Sequence, residues 1–192
     1  MNLLYYFVVK LPKRFRDEAE LGDQKIYMET KFDEFAHRVN EGEVVYTPLK
    51  FDTPVKPGDT LYFHHNVVIN GGMPFADYED HYVVSYDPKV AVNSHAYAYR
   101  PFGSDEIYPL GLWTLLRPTF EESFEHAMFD IVGSEEEPRT KGVVAAMNME
   151  GVELGLHIGD VVGFKKNMDY TFKVDGEDFF RTRTQDLLYV EE

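Results

Sequence analysis

The chain has no cysteine among its 192 residues. Disulfides, thiolate metal sites and a cysteine nucleophile are therefore excluded. The lack permits a reducing compartment without requiring one. Basic residues are scarce: 19 Lys and Arg stand against 34 Asp and Glu, a net charge of −15. Such a surface repels phosphate backbones and anionic bilayers, so neither nucleic acid nor membrane is an expected partner. No apolar run approaches the roughly 20 residues of a spanning helix. The opening MNLLYYFVVKLPKR places its apolar residues ahead of the basic ones. A signal peptide has the opposite order, so this stretch reads as a strand. A soluble, cytoplasmic protein is expected. Gly-x-Ser-x-Gly, phosphate-loop and paired-carboxylate motifs are also missing, and spacing alone assigns no triad. Neither catalytic residues nor a cofactor are expected, and the chain does not read as an enzyme.

Hydrophobic residues make up 44% of the chain and aromatics 15%, enough for a core and biased toward strands. Short β-type runs occur at 3–10, 43–46, 60–66, 82–86, 89–93, 96–100, 112–117, 143–147, 160–165, 170–174, 179–182 and 187–190. Gly, Pro and Asn separate them, as in Pro57-Gly58-Asp59 and Asn70-Gly71-Gly72. Tyr97 and Tyr99 alternate with Ala96 and Ala98, the period of a half-buried strand. Two segments differ: 13–40 and 120–141 are charge-rich and read as long surface loops. A helical turn is open around Phe32, Phe35 and Val39. Many short strands with such turns predict an all-β sandwich or barrel.

The strands repeat. Gly58-Asp59-Thr60-Leu61-Tyr62-Phe63-His64-His65-Asn66 aligns with Gly159-Asp160-Val161-Val162-Gly163-Phe164-Lys165-Lys166-Asn167. Upstream, Val8-Val9-Lys10 aligns with Leu115-Leu116-Arg117, and Gly42-Glu43-Val44 with Gly142-Val143-Val144. Downstream, Tyr99-Arg100 with Asp105 to Tyr108 pairs with Phe180-Arg181 and Asp186 to Tyr189. On this register Asn66 and Arg100 are 34 residues apart, Asn167 and Arg181 only 14, so the first copy carries an insertion of 20 around 71–88. A duplication is implied.

The repeat bears on the adjacent His64 and His65. With Glu79, Asp80 and His81 they are loosely similar to a cupin metal site, and a cupin-type metal-dependent enzyme is one alternative reading. However, neighbours on a strand point to opposite faces, the His-x-His spacing is absent, and the second copy has Lys165 and Lys166 there. Histidines on a strand edge, with no metal, are expected.

The repeated order of apolar strand, basic residue, long loop, Gly-x-Val-Val, Gly-Asp strand and final Asp-Leu/Ile-Leu strand resembles the GroES co-chaperonin family. The second copy carries it best: Leu115-Leu116-Arg117-Pro118, Gly142-Val143-Val144-Ala145, Ile158-Gly159-Asp160-Val161-Val162, Val174 to Phe180, and Asp186-Leu187-Leu188-Tyr189-Val190. The resemblance implies two GroES-like irregular β-barrels in tandem, each with a long mobile loop: a first at 1–111 with an insertion near 67–90, a second at 112–192. It also implies a homo-oligomeric ring that caps a GroEL-type chaperonin over an unfolded client protein. Family members bind through an apolar triplet on the mobile loop. Ile26, Tyr27 and Met28 occupy that place in the first copy, and Met128, Phe129 and Ile131, interrupted by Asp130, in the second. The short segments before each Gly-Asp resemble phage-encoded members that lack the roof hairpin; a phage protein would work in its host's cytoplasm. A GroES-like structural or interaction protein that binds no chaperonin is the other alternative.

Overall fold

The computed structural model describes residues 3–11, 18–21, 24–27, 39–69, 73–75, 78, 80–119 and 140–191. The first sheet contains β1 (Tyr6–Lys10), β4 (Glu41–Tyr46), β5 (Thr60–Phe63), β6 (His81–Ser85), β7 (Ala96–Arg100) and β8 (Tyr108–Pro109), in the order β6-β1-β4-β5-β7-β8. The second contains β9 (Trp113–Arg117), β10 (Lys141–Ala146), β11 (Val161–Phe164), β12 (Tyr170–Val174), β13 (Glu177–Arg183) and β14 (Leu187–Val190), in the order β12-β13-β9-β10-β11-β14. A separate hairpin pairs β2 (Glu18–Leu21) with β3 (Gln24–Tyr27). Among the described residues helix is limited to single turns, α1 (Asn66–Ile69) and α2 (Met149–Glu153), and 3-10 turns at Ala91–Asn93 and Thr184–Asp186. The expected all-β architecture is present.

Both sheets must curl. In the second, β13 and β14 lie four strands apart in sheet order, yet only Thr184–Asp186 joins them. A flat sheet would separate them by roughly 19 Å at about 4.8 Å per strand, too far for a three-residue 3-10 turn. In the first, the His95 N–H donates to the Ser85 carbonyl at 3.0 Å, linking the end of β6 to the start of β7. Curling gathers Phe7, Val9, Val44, Leu61, Phe63, Val84 and Ala96 from five strands into one buried core. The corresponding second core holds Leu116, Val144, Val162, Phe164 and Phe180.

The sheets share one register. Val8–Tyr46 and Val9–Val44 pair in the first as Leu115–Ala146 and Leu116–Val144 do in the second, with the same bulge between. Leu61 pairs with Gly42 as Val162 does with Gly142. The Gly-Asp motif closes the same turn twice. Gly58 and Gly159 adopt φ of 92° and 97°, conformations that glycine takes without strain. Asp59 accepts from the Lys56 N–H, and Asp160 from the His157 N–H, each at 2.8 Å.

Beyond this point the structure corrects the sequence alignment. Tyr99–Arg100 lie on β7 and bond to β5, whereas Phe180–Arg181 lie on β13 and bond to β9. The true counterpart of β13 is β6, which bonds to β1; the counterpart of β14 is β7. Asp105 to Tyr108 therefore do not match Asp186 to Tyr189: Tyr108 belongs to β8, on the outer edge of β7. Phe63 and its partner Ala96 are 33 residues apart, Phe164 and its partner Leu187 only 23, so the first copy is longer here by 10, not 20. Short dipeptide matches misled the alignment because equivalence is set by ladder partners. The extra length includes α1, ahead of a Pro74–Tyr82 bridge that matches the pairing of β12 with β13, and the connection from β6 to β7 around the 3-10 turn at Ala91–Asn93.

Three local expectations also change. The segment 13–40, read as loop, includes the antiparallel strand pair β2–β3. The run at 89–93 is not a strand; it contains a 3-10 turn at Ala91–Asn93. The strand expected at 60–66 ends at Phe63, and the chain turns into α1. Between β10 and β11 the chain forms α2, capped by Asn148, whose side chain accepts from the Gly151 N–H at 3.0 Å.

Candidate functional site

Of the six apolar anchors, the backbone of Ile26 and Tyr27 is described, on β3. Ile26 pairs in register with Ala19, and Tyr27 with Glu18. The triplet thus begins on the returning strand of a hairpin that bonds to neither sheet. Met28, Met128, Phe129 and Ile131 lie outside the described residues, as does most of 120–141.

The side chains that the structure brings together most densely are at the seam between the sheets, a site the sequence reading did not find. Tyr62 of β5 with Tyr97 and Ala98 of β7 pack against Trp113, Leu115, Ala146, Phe172, Val174 and Phe179 of the second sheet. Phe172 sits 4.8 Å from the Tyr97 ring and 5.8 Å from the Tyr62 ring. Arg181 lies among aromatics, its guanidinium 3.8 Å over Trp113, 5.1 Å from Tyr170 and 5.2 Å from Tyr97. Burial lowers the Arg181 pKa to about 10 and raises that of Tyr62 to about 12. At one end Arg100 forms an ion pair with Asp175 across the seam. Strand β8, immediately before β9, covers the edge of β7. The alternating Tyr97 and Tyr99 signalled a half-buried strand, but nothing in the pattern said that its partner was a second sheet.

His64 and His65 stand at the other end of the seam. The expectation of opposite faces fails because β5 has already ended. The rings stack at 4.5 Å, and both lie against Tyr170, at 4.4 and 5.8 Å. His65 Nδ1 is 2.7 Å from the Tyr170 hydroxyl, which also accepts the His65 backbone N–H at 3.2 Å. His95 follows at 6.3 Å from His64. Among the described residues no three His, Cys, Asp or Glu side chains are placed to hold a metal ion. A cleft of about 510 Å³ opens beside the seam between Glu106, Tyr108, Arg117, Met147, Val152 and Ile158. Among the described residues no helix is long and apolar enough to cross a membrane.

The seam joins unlike faces. The first sheet contributes β5 and β7; the second contributes β9, β10, β12 and β13. The second-sheet counterparts of Tyr97 and Ala98 are Leu188 and Tyr189, which are 59% and 48% exposed. The two barrels are thus joined head to tail, leaving the second-sheet equivalent of the Tyr97 face uncovered.

These features define a protein of two related, irregular β-barrels in tandem. No protein-family model matches the chain. Two curated proteins do, both named co-chaperonin GroES. That of Thermosipho africanus (strain TCF52B) is 30% identical over 84 residues, 43% of this chain and 93% of the relative. That of Coprothermobacter proteolyticus (strain ATCC 35245 / DSM 5265 / OCM 4 / BT) is 35% identical over 92 residues, 44% of this chain and 94% of the relative. The chain belongs to the GroES co-chaperonin family. Nearly a whole relative fits within less than half of this chain, as expected of a doubled member.

Proposed function

We propose that this protein is a tandem co-chaperonin that caps a GroEL-type chaperonin ring and assists ATP-dependent folding of an enclosed client. The near full-length match to two co-chaperonins carries the reading. Its domains are 1–111 and 112–192, with binding anchors Ile26, Tyr27 and Met28 in the first and Met128, Phe129 and Ile131 in the second. The chemistry is non-covalent, so no catalytic group or cofactor enters.

Burying each large anchor is worth roughly 1.5–3 kcal/mol. Ordering a loop costs about 1–2 kcal/mol per residue. A single loop therefore binds weakly, and affinity comes from several loops engaging together. The head-to-tail seam supports such multivalency, because a heterologous contact repeated between copies closes into a ring when the rotation between copies divides a full turn. Leu188, Tyr189 and Val190 on one copy, and Met73 and Tyr78 on the next, are among the exposed apolar residues available for that contact. The net charge of −15 keeps the cap soluble and attracts exposed apolar client surface only weakly, which favours folding over retention.

The test is co-sedimentation with a GroEL-type chaperonin, with and without ATP. Nucleotide-dependent co-sedimentation is expected. Failure to bind in either condition would leave a GroES-like protein with a different partner.

A further inference from the structure

The segments ahead of the two Gly-Asp turns are built differently. Residues 47–57 of the first barrel contain no helix, whereas the second barrel forms α2. One side chain, Asn148, fixes α2 in place. It accepts from the Gly151 N–H at 3.0 Å and from the Thr184 hydroxyl at 2.9 Å, and its amide donates to the Gly111 carbonyl at 3.0 Å. These bonds tie α2 to the connection between the barrels and to the 3-10 turn after β13. Leu156 packs into the second core, and a Cβ on Gly151 would meet the Met147 Cβ at 3.0 Å. The other large apolar residues stay in solvent: Met149 is 71% exposed, Val152 54%, Leu154 66% and Ile158 73%. A lone exposed apolar side chain needs no explanation. Four of them between 149 and 158, on a turn held by side-chain hydrogen bonds, form a built surface of the kind that marks an interaction site.

Val152 and Ile158 also line the cleft of about 510 Å³, a volume typical of ligand clefts. Its other walls come from 105–109 of the first barrel and from Ala146, Met147 and Phe179 of the second. Ile107, Ala146 and Phe179 belong to the seam cluster as well, so the cleft is continuous with the seam. Carboxylates dominate its charge. Asp105 and Glu106 line it, and Glu150 and Glu153 stand on the same turn as Val152, all four exposed. Glu106 also accepts from the Tyr108 hydroxyl. The lining cation, Arg117, is 3.5 Å from Glu177 and 4.9 Å from the Phe179 ring. His157, beside Ile158, faces Asp160 at 3.8 Å. An apolar surface rimmed by carboxylates complements a segment that carries apolar and basic side chains together. It disfavours an acidic partner, and a second copy of this chain, at −15, is one.

We propose that this cleft is a docking site for a basic amphipathic segment of another protein. The apolar side chains of that segment seat against Met147, Val152 and Ile158, and its Lys or Arg groups against Glu106, Glu150 and Glu153. Both barrels supply walls, so the occupant bridges them. The site is separate from the loop anchors, and a binding test without chaperonin leaves the capping reading untouched.

The probe is a fluorescein-labelled amphipathic peptide of Leu and Lys, titrated with the full-length protein and followed by anisotropy at low and at physiological salt. A peptide with Glu in place of every Lys is the control. Expected is saturable binding of the Leu/Lys peptide that weakens with salt, and no binding of the Leu/Glu peptide. Val152→Ser/Ile158→Ser should weaken binding by about tenfold or more at unchanged charge. Glu106→Gln/Glu150→Gln/Glu153→Gln should weaken it by about tenfold and flatten its salt dependence. All five positions are exposed, so the fold is kept. No binding by the parent, or undiminished binding by Val152→Ser/Ile158→Ser, would overturn the proposal, the second by reducing the affinity to general attraction toward an acidic chain. Equal binding of the two peptides would overturn it by removing the charge complementarity. A lower oligomeric state of Val152→Ser/Ile158→Ser in sedimentation would overturn it by making the occupant a second copy.

Discussion

At one register position the first barrel sets Tyr62 opposite Ala98, and the second sets Gly163 opposite Tyr189. The same cross-strand space is filled from opposite strands. A Cβ on Gly163 would come within 2.2 Å of the Tyr189 ring, so the bulk cannot sit on both. Tyr62 is wholly buried in the seam, whereas Tyr189 is half exposed on the outer face. A charge cluster follows suit: Lys165, Asp186 and Arg183 in one barrel, His64, His95 and Ser85 in the other. Duplication preserved hydrogen-bond ladders, bulges and turns; side chains diverged according to whether their face meets the other barrel.

The largest contrast is expected between the anchors. Ile26→Ser removes most of one anchor from every copy in an oligomer, and the losses multiply. Chaperonin co-sedimentation should collapse while the fold persists. Ile131→Ser should do less, since Asp130 already interrupts that triplet. The reverse ranking would assign capping to the second barrel.

Next come the matched seam positions. Tyr97→Ala empties a fully buried aromatic site and should cost about 3–5 kcal/mol in denaturant unfolding. Leu188→Ala, at the equivalent exposed position, should change monomer stability by less than about 0.5 kcal/mol. Equal effects would contradict the head-to-tail description.

Asp186→Asn should destabilise by about 1–3 kcal/mol, because a buried carboxylate loses charge-assisted bonds to Lys165 and Arg183. Burial works to raise the Asp186 pKa, but those two bonds outweigh it and hold the carboxyl below its usual range. Its contribution is therefore present above about pH 4 and lost as acid titrates the folded group. An acid-unfolding midpoint unmoved by Asp186→Asn would refute this.

The smallest effects belong to paired glycines. A Cβ on Gly142 meets the buried Phe180 ring at 2.7 Å; on Gly42 the nearest atom is Val9 Cβ at 3.0 Å. Gly142→Ala should cost roughly 1–3 kcal/mol and Gly42→Ala less, as measured by thermal unfolding.

Legibility in the sequence followed the range of each interaction. The strands at 96–100, 170–174 and 187–190 were readable from alternation and flanking turns, as was the doubled Gly-Asp turn, because these depend on neighbours in the chain. The ladder partners of β6 and β7 were not, because HYVVS and EDFFRTR share no local signature and only their bonds to β1 and β9 make them equivalent. The stacking of His64 on His65 was not readable because Asn66 starts a helical turn where a longer strand was expected. The seam escaped because alternation shows that a face is covered, not what covers it. The apolar triplets were visible as apolar residues in charged segments, with Ile26 and Tyr27 now placed on β3.

The central claim, a doubled GroES-type cap assembled head to tail, is tested most directly by native mass measurement of the protein alone and mixed with a GroEL-type chaperonin and ATP. The predicted result is a closed oligomer alone, and one such oligomer bound per chaperonin ring end in the mixture, with Leu188→Glu reducing both to monomer. A parent protein that stays monomeric and unbound in both samples would contradict it.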